Sequence, residues 1–134
     1  MALPVIDKKA ETTASDAVIN IQPLSVLTSS EVRNKDDQKL GKLKELMIDT
    51  KSGKTIYAVM SFGGFWGMGE KLSAIPWSAI GFNNIDKRFV LDIEVGRLKA
   101  APSFYKDKWP NMNDINWVKK VNTFYINAKH KIAK

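Results

Sequence analysis

Between Leu24 and Ile93 the chain alternates short apolar runs with polar, turn-forming clusters. In TIYAVMSF (residues 55–62), Ile56, Ala58, Met60 and Phe62 alternate with Tyr57, Val59 and Ser61, so bulky groups stand on both faces. That pattern predicts a strand buried on both sides. RFVLDI (88–93) alternates more cleanly, with Phe89, Leu91 and Ile93 inward and Arg88 and Asp92 outward. Three clusters read as turns: NKDDQ (34–38), KSGK (51–54) and NNIDK (83–87). Gly53 supplies the positive φ that a tight hairpin needs. KLGKLKELMID (39–49) is ambiguous, because Leu40, Leu43 and Met47 fit helical spacing while Leu46 and Ile48 fit a strand. Gly41 near its start and the hairpin signal at its end favour a long strand, bulged near Lys44 and Glu45.

After Ile93 the character changes. EVGRLKAAP predicts a short turn stopped by Pro102, and Pro110 makes another break. NDINWVKKVNTFY then starts with Asn113 or Asp114 as N-cap, and Ile115, Val118, Val121 and Tyr125 form one helical stripe with Lys119 and Asn122 away from it. This predicts a helix packed on the sheet. Residues 1–20 lack periodicity and read as a mobile arm. Residues 21–126 read as one domain, and 127–134 as a basic tail. Charges at Asp7, Lys8, Lys9 and Glu11 interrupt any signal-peptide core, and no run reaches the roughly 18 apolar residues of a membrane span. A cytoplasmic protein without membrane insertion is the expectation.

At 134 residues the chain suits a single domain able to bury roughly two-thirds of its unfolded surface. It has no cysteine, which excludes thiol catalysis, iron–sulfur clusters and cysteine zinc sites. The net charge of +7 is unevenly placed. Acids and bases cancel through Gly96; from Arg97 onward nine bases face only Asp107 and Asp114. Such asymmetry marks either a polyanion-binding surface or a solvated helix face and tail.

One combination of features is specific. Leu40, Gly41 and Lys42 open a strand ending at Asp49 before a glycine turn; Tyr57 leads the next strand; glycines run from Gly63 to Gly69; and Ile75, Pro76 and Trp77 follow. This resembles the PRC-barrel family, which includes the barrel of the photosynthetic reaction-centre H subunit and the C-terminal domain of the ribosome maturation factor RimM. FVLDI, RLKAAPSF and WPNMNDINWVKKVNTFY resemble the last strand, the exit and the tryptophan-containing tail of stand-alone bacterial members. The resemblance covers residues 24 to 125. It implies a mainly β fold, a small, strongly bent barrel with a C-terminal helix, serving as a docking or assembly module rather than an enzyme. The first packs on membrane subunits and the second meets a ribosomal protein; neither partner is expected to carry over, because no transmembrane helix and no RimM-type N-terminal domain is expected here.

The residues themselves offer little catalysis. Gly64 and Gly69 have P-loop separation, but Glu70 stands where the phosphate-binding lysine belongs. The glycines fit a different need, sharp bends in a tightly curled sheet. Phe65, Trp66 and Met68 on that turn either fold back as a lid or stay exposed as a contact surface. Trp77 is expected in the core. Asp49 and Glu70 are isolated carboxylates, Asp36 and Asp37 lack the spacing of a calcium loop, and His130, the only histidine, has no nucleophile context. No catalytic residue, cofactor or metal is expected. The candidate contacts are Phe65, Trp66 and Met68, with Lys119 and Lys120 as a second surface for a protein partner or a homodimer. The alternative is an RNA- or ribosome-associated protein using the basic C-terminal lysines beside Trp109, Trp117, Phe124 and Tyr125.

Overall fold

The turn clusters punctuate the chain where the sequence places them. The computed structural model describes residues 20–62 and 70–133, with side chains through Ile126. A single helical turn, α1 (Leu24–Leu27), leads into β1 (Glu31–Arg33), and NKDDQ carries the chain into the long β2 (Lys39–Asp49). KSGK joins β2 to β3 (Lys54–Phe62). After β4 (Lys71–Pro76), a 3₁₀ turn over Trp77–Ala79 leads to β5 (Ile80–Asn83), and NNIDK joins β5 to β6 (Arg88–Leu91). A short α2 (Val95–Leu98), the strand β7 (Ser103–Tyr105) and the helix α3 (Ile115–Ala133) complete the described chain. The backbone of α3 continues through most of the segment set apart above as a basic tail. Positive φ falls on Asp37 (61°), Gly53 (77°) and Lys87 (56°), one residue in each turn.

The strands form one mixed sheet in the order β5-β6-β1-β2-β3-β4-β7. All neighbours are antiparallel except β1 and β6, which run parallel through Val32 opposite Phe89 and Arg33 opposite Val90. The connection from β4 to β5 dictates the shape. Laid flat, these two strands would stand about 24 Å apart at the usual spacing. The link between them is the three residues of the 3₁₀ turn, which reach at most about 14 Å even when extended. The sheet must therefore curl until its two ends meet. The fold is mainly β with a C-terminal helix, as expected, but no ladder joins β5 to β7 among the described residues, so the barrel is curled and not closed.

Curling is built into β2. Its pairing with β3 shifts register between Leu43 and Glu45, which leaves Lys44 as the extra residue of the predicted bulge. A second shift, between Met47 and Ile48, leaves Ile56 of β3 as its extra residue and has no signal in the alternation. Gly41 answers the same need. A Cβ there would run into the Ser61 carbonyl oxygen and stand 2.9 Å from Met60 Cγ, so only hydrogen lets β2 lie this close to β3.

Val32, Leu43, Val59, Met60, Ile75, Phe89 and Leu91 form the fully buried centre. β3 is buried continuously from Tyr57 to Ser61, the two-sided burial its composition predicts, although Ile56 before them is exposed. Trp77 corrects an expectation. It is half-buried, edge-on to Phe89 at 6.1 Å, and Phe89 fills the centre in its place.

α3 packs on β4 and β7 by a stripe that keeps Val121 and Tyr125 of the predicted one but not Ile115. Ile115 is 60% exposed, and the inward line runs Trp117, Val121, Tyr125 with Phe124 beside it. The helix is rotated so that Trp117 meets the Phe104 ring of β7 at 6.0 Å. Ser73 of β4 donates to the Pro102 carbonyl at 3.0 Å, which leaves its oxygen to accept from the Tyr125 hydroxyl at 3.4 Å. Burial pushes the Tyr125 phenol up to about 12, against the opposing effect of Ser73.

Two outcomes follow from this packing. Gly41→Ala is expected to cost about 3 kcal/mol, read as a lowered urea midpoint at unchanged slope. Because the Tyr125 phenol ionises later in the folded chain than in the unfolded one, its contribution to stability is complete below about pH 10 and lost as pH rises to about 12. Over that window the parent should lose about 2–3 kcal/mol relative to Tyr125→Phe, measured by urea unfolding.

Candidate functional site

Asp114 caps α3, its carboxylate accepting from the Asn116 amide at 2.9 Å and its carbonyl from the Val118 amide at 3.1 Å. With Trp117, Val121 and Tyr125 turned inward, Asn116, Lys119, Lys120 and Thr123 share the outer face at helical spacing. They form one wall of a groove of about 690 Å³ whose other wall is the small-residue stretch from Ala100 to Ser103. Arg97 of α2 enters the same groove and lies over the Phe124 ring, 4.8 Å from its centroid. Its Nε is buried without a hydrogen-bond partner. Among the described residues, no carboxylate stands within ion-pair distance of Arg97, Lys119 or Lys120.

A second cleft, of about 610 Å³ between α1 and the β1–β6 region, shows the opposite electrostatics. Its arginines are already matched: Arg33 pairs with Glu31 at 3.0 Å and Arg88 with Asp37 at 3.0 Å. The Arg33 hydrogen bond holds the Glu31 carboxyl below its usual range against the smaller effect of desolvation. That cleft has little unsatisfied charge to offer a ligand.

A third, apolar groove of about 300 Å³ runs between the β2–β3 hairpin and the start of α3. Met47, Ile48, Ile56, Met112 and Val118 line it, and Ile48 and Ile56 are 51% and 42% exposed. Tyr57 also lines it, with its hydroxyl buried and unpartnered and its phenol pushed up by burial. Sequence reasoning did not single out this groove. The available signal was Ile48 and Ile56 flanking a hairpin at positions the turn leaves near solvent.

The residues singled out from sequence separate into two groups. Lys119 and Lys120 come together with Arg97 in the basic groove. Phe65, Trp66 and Met68 lie outside the described residues. The lone carboxylates have structural partners. Asp49 accepts from the Ser52 hydroxyl at 2.8 Å and the Lys51 amide at 3.0 Å, which hold its carboxyl low, and Glu70 pairs with Lys44 at 3.4 Å. Among the described residues, no group of three or more histidines, cysteines or carboxylates is placed to hold a metal ion, and no helix is long and apolar enough to cross a membrane. One residue carries more than its turn signal suggests. Buried Asn34 accepts from the Asp36 and Gln38 amides at 3.0 and 2.9 Å, and donates to the Gln38 side chain at 2.9 Å and the Ile93 carbonyl at 3.2 Å. It ties the β1–β2 turn to the exit of β6.

The resemblance implied a mainly β, strongly bent barrel, and the sheet is mainly β and curled without closing. A family model for the PRC-barrel domain matches residues 24–98, more than half of the chain. The chain belongs to the PRC-barrel domain family. No match is found among curated proteins. PRC-barrel domains are non-catalytic β modules that mediate protein interactions. The match stops at Leu98, so β7 and α3 lie beyond it, and the basic groove straddles that limit.

Removing the orphan hydroxyl beside the apolar groove tests its environment. A buried hydroxyl without a partner opposes folding, so Tyr57→Phe is expected to leave stability unchanged or raise it by about 1 kcal/mol in urea unfolding.

Proposed function

We propose that this PRC-barrel chain is a non-enzymatic assembly module that works by surface contact, with a second copy of itself as one partner. The observation that carries the proposal is the apolar groove between the β2–β3 hairpin and α3, lined by Met47, Ile48, Ile56, Met112 and Val118. Exposed Ile115 stands one helical turn from Val118 and extends the apolar surface. Contiguous aliphatic surface beside a polar rim is the usual makeup of a contact face, and Asp49 and Asn113 supply the rim here. The short edge strands β5 and β7 offer further backbone for such a contact. The aromatic turn of Phe65, Trp66 and Met68 is a second contact in this proposal, resting on sequence alone.

Sedimentation velocity across a concentration series tests it. The parent is expected to self-associate. Ile48→Glu with Ile56→Lys should weaken dimerisation at least tenfold while circular dichroism and thermal unfolding stay near the parent's. A parent that stays monomeric at high concentration would end the self-association reading. Dissociation by Trp66→Ala but not by the isoleucine pair would move the contact to the aromatic turn.

A further inference from the structure

We infer that the groove formed by Arg97, Lys119 and Lys120 takes an extended acidic segment, rich in Asp and Glu, of a protein partner. The proposal shares with the self-association reading only the premise that the chain works by contact, because it uses a different face.

Charge is the first reason. The cleft at β1 and β6 neutralises its own arginines, whereas this groove holds three cations without a carboxylate in ion-pair range among the described residues. Grouping like charges raises the energy of the unbound surface, and an anionic occupant relieves it. Shape is the second. One wall is the run Ala100, Ala101, Pro102 and Ser103, whose small side chains let a partner's main chain come close. The opposite wall carries Asn116, Lys119, Lys120 and Thr123 over two turns of helix, which spans about 10 Å, or roughly three residues of an extended peptide.

Preorganisation is the third. Arg97 is held over the Phe124 ring, so its planar fork loses little freedom when it meets a carboxylate, and a guanidinium favours paired hydrogen bonds. The same contact argues against a nucleic-acid strand. Single-strand binders stack bases on free aromatic faces. The groove's one aromatic ring, Phe124, has Arg97 over its face and Tyr125 edge-on at 5.0 Å. Trp109, although partly exposed, leans on Phe104 at 5.0 Å and does not line the groove. Carboxylates need only the cations and the hydroxyl and amide donors of Ser103, Thr123 and Asn116.

Fluorescence anisotropy on the full chain decides the matter. The probes are a labelled peptide alternating Asp and Glu with Gly, and an oligouridine of equal charge, each titrated at low and moderate salt. The peptide is expected to bind more tightly than oligouridine and to weaken with salt. Lys119→Glu with Lys120→Glu should weaken it at least tenfold, and Arg97→Lys several-fold, since an ammonium keeps the charge but loses the fork. The lysines are exposed, so their reversal leaves the fold intact, which thermal unfolding verifies. Repeating the titration on Ile48→Glu with Ile56→Lys separates the two readings, because peptide affinity should persist in a chain that no longer self-associates. No peptide binding at low salt would overturn the assignment. So would tighter binding of oligouridine, or peptide binding indifferent to reversal of both lysines.

Discussion

β4 and β5 follow one another in the chain, yet they stand at nearly opposite ends of the strand order, joined by three residues. That short link forces the sheet around on itself, and much of the architecture is the accommodation of this one demand. β2 and β3 must bend together, so their ladder carries two register shifts, with Lys44 the extra residue of one and Ile56 of the other. Where β2 crosses closest over β3, a side chain would collide with the Ser61 carbonyl, so Gly41 stands there. A strand in the middle of so tight a curl has covered surface on both sides, hence the unbroken burial from Tyr57 to Ser61. Hydrophobic burial supplies the driving force, but the link sets the shape into which that burial must fit.

Much of this was legible in the sequence because it is written in local chemistry. Gly53 and the Asn- and Asp-rich clusters mark turns through backbone preferences that act within four residues. The bulge at Lys44 was readable because alternation slips there. The second shift hid because its extra residue, Ile56 of β3, reads as one more apolar member of that strand's alternation. The helix stripe was legible at Val121 and Tyr125 but not at its start: Ile115 fits the helical period, yet the partner across the contact, Phe104, selects Trp117. Trp77 seemed the natural plug by size, and only the packed positions of Phe89 and Leu91 reveal that the centre is already full.

The proposed contact surfaces were less legible, since they depend on which residues distant segments bring together. Lys119 and Lys120 drew notice through charge asymmetry alone. Their significance comes from Arg97, twenty-two positions earlier, and from the absence of carboxylates around all three among the described residues. The basic groove also lies where the family match ends. Arg97 is the one lining residue within the matched region, and both walls, Ala100 to Ser103 and the outer face of α3, follow it in the chain.

The parallel pairing of β1 with β6 carries a consequence for how fast the molecule assembles. Val32 meets Phe89 across most of the domain's sequence. The hairpins β2–β3 and β5–β6 can each zip from a nearby turn, but the β1–β6 ladder has to draw a long segment into a loop before any hydrogen bond repays it. That loop is the longest any strand pairing closes among the described residues, and it raises the contact order, the property that separates slow, non-local β folds from fast helical ones.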